Sequence, residues 1–117
     1  MTDEEYLAHI ESAILQIREH TAGMTQETYE SDTKTQRAVE RNLQIIGDAA
    51  HKLSKGLKQE HAHVPWDDVY AAPNVVVHHY FGVNQKIVWD ILHSDLDPLL
   101  TAVQGLLTRG AAGPASD

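Results

Sequence analysis

A long stripe of apolar side chains with helical spacing constrains this chain more than any other feature. Between residues 33 and 57 the apolar positions recur every three or four residues, which is the spacing of one face of an α-helix. The members of the stripe are Ala38, Val39, Ile45, Ile46, Ala49, Ala50, Leu53 and Leu57. We therefore predict one long helix from Thr33 to about Leu57. Gly47 and its small neighbours would allow another helix, of this chain or of a second copy, to approach closely.

The same spacing predicts an amphipathic helix near the start of the chain, over residues 3–21. Thr2 or Asp3 can cap it, because their side-chain oxygens can accept hydrogen bonds from the first free backbone amides. A polar connector follows over residues 24–32, with one helical turn expected after Thr25.

Proline and asparagine mark the helices of the second half. Pro65 is expected to start a short helix over residues 66–70, because proline fits the first helical position. Asn84 is expected to cap the next helix, and Pro98 fits the first turn of the last one. His93 to Asp95 are expected to separate these two helices.

The chain shows almost no alternation of period two. The ambiguous segment Val75–Val77 is the one exception, so we predict the all-α class, as an up-and-down bundle of four to five helices. Its length of 117 residues suits one domain. We assign residues 1–109 to that domain and expect residues 110–117 to form a flexible C-terminal tail.

Composition excludes several functional classes. The chain has no cysteine, which excludes disulfides, zinc–thiolate sites and cysteine nucleophiles. A net charge of −8 argues against a broad basic surface that coats nucleic acid, although an enzyme could still contact one or two phosphates. The acidic, polar start and the lack of a long apolar run favour a cytoplasmic protein with no membrane contact.

Histidine and carboxylate pairs raise the question of a metal site or of paired acid–base carboxylates. Adjacent residues such as His78–His79 point about 100° apart on a helix and rarely share an ion. His61 and His63 lie in a predicted loop without a thiolate partner, so no metal site and no cofactor is expected. The pairs Asp67–Asp68 and Asp95–Asp97 are interpreted as helix caps, because each precedes or begins a predicted helix.

One stretch carries side chains suited to proton and phosphate chemistry on a valine scaffold. Asn74 and His78 are four residues apart, so on a helix they share a face, and Tyr80 follows two residues later. An imidazole can act as general base or acid near neutral pH, while an amide and a phenol can orient a phosphate or hydroxyl. The alternative is a buried histidine beside a structural tyrosine. Pro73 prevents a regular helix from passing straight through this stretch.

Two segments together resemble a known family. The first reads QRAVERNLQIIGDAA over residues 36–50, and the second reads NVVVHHYFGVN over residues 74–84, followed by Val88 and Trp89. This succession resembles the HepT-like branch of the HEPN superfamily over residues 3–107. The resemblance implies a helical bundle that forms a homodimer with its active cleft along the two-fold axis. It also implies a ribonuclease toxin of a type II/VII-like toxin–antitoxin pair, whose partner is an MNT-type nucleotidyltransferase antitoxin.

The family motif consists of an arginine, a polar residue, a histidine and a tyrosine. Asn74, His78 and Tyr80 match the last three positions, and Tyr80 matches the tyrosine that some antitoxins adenylylate. Pro73 stands at the arginine position and offers no donor to the phosphate. By analogy with the loss of one oxyanion donor, this costs roughly 3 kcal/mol, or about a hundredfold in rate.

Two interpretations follow from this departure. The chain is either a weakened metal-independent ribonuclease that cleaves RNA, or a catalytically degenerate module that dimerises and binds its nucleotidyltransferase partner. Its acidic surface fits a protein partner at least as well as RNA.

Overall fold

The computed structural model describes residues 1–69 and 84–112, and over these two ranges the chain is helical, with no strand. The helices are α1 (Asp3–Thr21), α2 (Gln26–Glu30), α3 (Thr33–Lys52), α4 (Lys55–Glu60), α5 (Gln85–Ser94) and α6 (Leu96–Ala112). Residues 66–69 are also helical, up to the edge of the first range. The predicted all-α class is confirmed.

The bundle is organised around α1, which packs mainly against α3 and also along α6. The start of α1 meets the end of α3, because the Asp3 carboxylate accepts hydrogen bonds from Ser54 N–H and Oγ at 2.9 and 2.6 Å. The end of α1 meets the start of α6 through the ion pair of Arg18 and Asp97. Both neighbours therefore run antiparallel to α1. The largest fully buried side chains are Ile10, Ile14, Ile17, Tyr29, Val39, Leu43, Ile46, Val88 and Val103.

Short polar side chains begin the helices where the sequence predicts it. Thr2 Oγ1 accepts a hydrogen bond from the Glu5 amide at 3.2 Å and caps α1. Thr25 caps α2 through a reciprocal pair of hydrogen bonds with Thr28. Asn84 caps α5. Each cap satisfies amides that have no partner within their own helix.

The prediction of one continuous helix from Thr33 to Leu57 is wrong. Helix α3 ends at Lys52, Leu53 adopts an extended conformation, and α4 begins at Lys55. The cause is Ser54, whose Oγ accepts from the Leu57 amide at 3.2 Å and so starts a new helix. Leu53 remains buried, so the apolar stripe continues across the break and conceals it.

The last two helices are separated as predicted. Helix α5 ends at Ser94, Asp95 is its C-cap, and Pro98 lies in the first turn of α6. Helix α6 continues to Ala112, so it includes Gly110, which the sequence analysis assigned to the tail. No helix within the two described ranges combines the length and apolarity needed to cross a bilayer.

Candidate active site

The predicted catalytic residues lie outside the part of the chain that the structure describes. Pro73, Asn74, His78 and Tyr80 all fall within residues 70–83. The structure describes the frame on both sides of this segment, because the chain enters it after Val69 and leaves it at Asn84.

The entry side is fixed by buried side chains and backbone hydrogen bonds. Trp66 is buried, and its indole Nε1–H donates to the carbonyl of His61 at 3.1 Å. Val64 is buried beside it, and the carbonyl of Pro65 accepts from the Val69 amide at 3.0 Å. Trp66 thus anchors this part of the core, and the prediction that a helix begins after Pro65 is confirmed.

The exit side is fixed by the first turn of α5. The Asn84 side chain accepts hydrogen bonds from the amides of Lys86 and Ile87 at 3.1 and 3.4 Å. Val88 is fully buried, and its amide donates to the Asn84 carbonyl at 3.2 Å. The polypeptide thus leaves the predicted catalytic segment at a defined position on the bundle.

A polar network ties this exit point to two other helices. Gln85 is its centre: its Oε1 accepts from the Tyr29 hydroxyl of α2 at 2.9 Å. Its Nε2 donates to Oε2 of Glu40, on α3, at 2.8 Å. The Tyr29 ring is fully buried and packs against Trp89, with ring centroids 5.4 Å apart. Because Gln85 follows Asn84 directly, this network fixes the position at which the chain leaves the predicted catalytic segment.

Charge and burial define the protonation state of Tyr29. Arg37 Nη1 donates to both oxygens of the neighbouring Glu40, at 2.9 and 3.1 Å. Burial raises the pKa of the Tyr29 phenol above its ordinary value, and the nearby Glu40 charge adds to this rise. The phenol therefore stays protonated at physiological pH and acts as a donor to Gln85.

A cavity of about 370 Å³ lies against Val69 and the loop before Trp66. Its walls are mainly apolar and come from α3, the loop before Trp66, and α5 and α6. The described lining residues include Leu43, Ile46, Val69, Ile91, Leu96 and Leu99. His63, Asp68 and Asp95 add polar groups to the same lining.

The other histidine and carboxylate candidates form no site within the described ranges. The rings of His61 and His63 have centroids 6.0 Å apart, and residues 1–69 and 84–112 contain no group of three metal-ligating side chains. Asp97 pairs with Arg18 of α1, while Asp67 is exposed.

Local sequence patterns did not predict the hydrogen-bonded network of Tyr29, Glu40 and Gln85. Tyr29 and Gln85 are 56 positions apart, and Glu40 and Gln85 are 45 apart. Periodicity and capping signals act over a few residues, so they give no indication that these three side chains meet. Their polar character alone is typical of exposed positions.

Comparison with known proteins assigns the chain to a family. The model of the HepT-like family, described as "Ribonuclease HepT-like", matches residues 10–106. A protein of Caldanaerobacter subterraneus subsp. tengcongensis, named as a "Putative RNase", is 32% identical over 92% of this chain and 96% of its own length. A protein of Thermococcus cleftensis, named "Probable ribonuclease HepT", is 34% identical over 82% of this chain and 87% of its own length. No solved structure gives a significant match. This chain belongs to the HepT-like ribonuclease family, within the HEPN superfamily.

Proposed function

We propose that this chain is a HEPN-type ribonuclease toxin that cleaves RNA without a metal ion. The observation that carries the proposal is the extent of the family match, since residues 10–106 include Asn74, His78 and Tyr80. The helical frame supports it, because defined contacts hold both ends of the segment that contains these residues.

The proposed reaction is a transesterification within the RNA chain. The ribose 2′-oxygen forms a bond to the adjacent phosphorus, and the bond from phosphorus to the 5′-oxygen of the next nucleotide breaks. The 2′-hydroxyl gives its proton to a base, and the departing 5′-oxygen takes a proton from an acid. His78 is the general base or acid, and Asn74 and Tyr80 orient the phosphate. The products are a 2′,3′-cyclic phosphate and a free 5′-hydroxyl.

Pro73 determines how fast this reaction runs. A guanidinium at this position would donate two hydrogen bonds to the phosphate oxygens as negative charge builds on them, and proline donates none. We therefore propose a weakened enzyme, with a rate lower by about a hundredfold than that of the same chain with arginine at position 73.

We further propose that this chain binds two protein partners in the cytoplasm. A second copy of the chain would complete the cleft along a two-fold axis. An MNT-type nucleotidyltransferase would act as the antitoxin of a type II/VII-like pair and could silence the enzyme by adenylylating Tyr80. Light scattering at micromolar concentration should give the mass of a dimer, and a monomer would contradict the first part.

A cleavage assay with a chelator tests the function. The unmodified protein and a His78→Ala variant are incubated with end-labelled single-stranded RNA in the presence of EDTA. We expect slow cleavage by the unmodified protein, products that end in cyclic phosphate, and no cleavage by the variant. Cleavage that persists in His78→Ala, or that stops with EDTA, would contradict the assigned mechanism.

The second candidate function is a degenerate module that binds the nucleotidyltransferase without cleaving RNA. Pro73 is the observation that favours it, together with the net charge of −8, which suits a protein partner. Co-expression with an MNT-type nucleotidyltransferase distinguishes the two. A stable complex formed by a protein that never cleaves RNA, even with arginine at position 73, would support the binding module.

A further inference from the structure

The exposed cations of this acidic chain are unevenly placed. Lys34, Arg37 and Arg41 all lie on the N-terminal half of α3, and each is exposed. At 100° per residue they fall within about 60° of one another around the helix axis. This face is opposite the buried face of α3, which includes Val39 and Leu43.

Lys86 extends the same group across to α5. It is exposed in the first turn of that helix, directly after Gln85. The hydrogen bond of 2.8 Å from Gln85 to Glu40, and the bonds from Arg37 to Glu40, bring the first turn of α5 next to this part of α3. We call Lys34, Arg37, Arg41 and Lys86 the basic track.

Two carboxylates close to the track already have partners, whereas Asp90 is exposed four residues after Lys86. Asp32 accepts from the Thr35 amide and hydroxyl at 3.0 and 2.8 Å, and these bonds lower its pKa. The Glu40 side chain is only 14% exposed and is shared by Gln85 and Arg37, whereas the Arg37 side chain is 66% exposed. Asp32 therefore caps a helix and Glu40 faces inwards, while the cations project outwards.

Three track residues are available for an external anion. The side chains of Lys34, Arg41 and Lys86 make no hydrogen bond or ion pair with the residues that the structure describes. By contrast, Arg18 is paired with Asp97, and the Lys58 ammonium donates to the His51 carbonyl.

The geometry suits a run of phosphates. Seven residues separate Lys34 from Arg41, so at 1.5 Å per residue the α3 part of the track is about 10 Å long. Successive phosphates of a single strand are spaced more widely than the axial rise of about 3.4 Å per phosphate in a duplex strand, so this length can contact about two in succession. Lys86 lies two residues after Asn84, the residue that follows the predicted catalytic segment in the chain. A strand on the track would therefore pass the C-terminal boundary of that segment.

We propose that the basic track binds the phosphate backbone of single-stranded RNA and leads it to the catalytic segment. This inference rests on the proposed ribonuclease function for its substrate class, but it concerns binding and not cleavage. The contacts are to phosphates, so they carry no sequence preference.

The test measures binding of labelled single-stranded RNA by fluorescence anisotropy, using the full chain. The track variant is Lys34→Gln/Arg41→Gln/Lys86→Gln, which keeps Arg37 because it holds Glu40. The control variant is Lys52→Gln/Lys55→Gln/Arg109→Gln, which removes the same three charges from other exposed positions. Lys52 lies about 16 Å beyond Arg41 along α3, outside the track.

Salt dependence gives the expected magnitude. Binding to single strands weakens with a slope of about 0.7 in log–log units for each phosphate contact. Three contacts predict roughly a 20-fold loss of affinity between about 50 and about 200 mM salt, and one remaining contact predicts less than about 3-fold. We expect the steep dependence in the unmodified chain and in the control variant, and the shallow one in the track variant.

Three results would overturn the inference. An equal loss in the track and control variants would mean that only total charge matters. An absence of measurable RNA binding by the unmodified chain would mean that RNA is not the ligand of the basic track. Unchanged RNA binding with loss of the dimer in the track variant would make this face a protein interface. If only the proposed ribonuclease function fails, the chain will still bind RNA through the basic track but will show no His78-dependent cleavage.

Discussion

Replacing Tyr29 by phenylalanine tests the network that fixes the exit of the catalytic segment. The substitution removes one oxygen and leaves the ring in its fully buried position against Trp89. It breaks the 2.9 Å hydrogen bond to Gln85 and leaves the Oε1 of that half-buried side chain without this partner. Loss of a hydrogen bond costs about 1 kcal/mol, and the partner left unpaired adds to this. We therefore expect the free energy of unfolding to fall by about 1.5 kcal/mol.

This free energy corresponds to a measurable shift in melting temperature. With an unfolding entropy of about 2.1 cal/mol/K per residue, a chain of 117 residues should lose roughly 6 °C. Urea titration should show a lower midpoint with an unchanged slope, because the substitution changes stability and not the surface exposed on unfolding.

Tyr6→Phe is the matched control, since it removes the same atom from a half-buried tyrosine of α1 whose hydroxyl makes no hydrogen bond within the described ranges. We expect it to change stability by less than about 0.5 kcal/mol. A double-mutant cycle of Tyr29→Phe with Gln85→Leu should give a coupling of about 1 kcal/mol. A coupling near zero, or equal losses in Tyr29→Phe and Tyr6→Phe, would refute the network.

Two further predictions concern alkaline pH and the break between α3 and α4. Because the folded state raises the pKa of Tyr29, its stabilising contribution is complete below the ordinary pKa of about 10 and is lost as pH rises above it. Urea midpoints at about pH 9 and about pH 11 should therefore fall further in the unmodified chain than in Tyr29→Phe, and parallel falls would contradict the shift. Ser54→Ala removes the cap of α4 and the Oγ hydrogen bond to Asp3, so the free energy of unfolding should fall by about 1–2 kcal/mol, as measured by urea titration. If Ser54→Ala instead matches an exposed change such as Ser12→Ala, the cap contributes nothing.

The helix starts were predictable because their signals are local. Thr2, Thr25 and Asn84 each place a short polar side chain within three residues of the amides that it caps. The proline positions work in the same way, since the missing amide of Pro98 is tolerated only in a first turn.

The break after Lys52 was not predictable from apolar spacing. Leu53 would be buried whether residues 33–57 formed one helix or two, so the apolar periodicity does not distinguish the two cases. Ser54 is held by Asp3, a residue 51 positions away, and no local pattern reports that contact. The network of Tyr29, Glu40 and Gln85 was missed for the same reason.

The site itself was predicted from the motif and not from physical reasoning alone. Spacing placed Asn74 and His78 on one helical face but left a structural histidine open as the alternative. The family match removes doubt about membership, while the roles of Asn74, His78 and Tyr80 stay predictions. The structure contributes the frame, with Trp66 on one side and Gln85 on the other.

The cleavage rate of a Pro73→Arg variant is the sharpest test of the proposed ribonuclease function. The unmodified chain, Pro73→Arg, and Pro73→Arg combined with His78→Ala are compared on the same single-stranded RNA with EDTA present. We predict a rise of about a hundredfold on introducing arginine, and its complete loss in the double variant. A Pro73→Arg protein that folds with an unchanged melting temperature and does not cleave RNA would contradict the account.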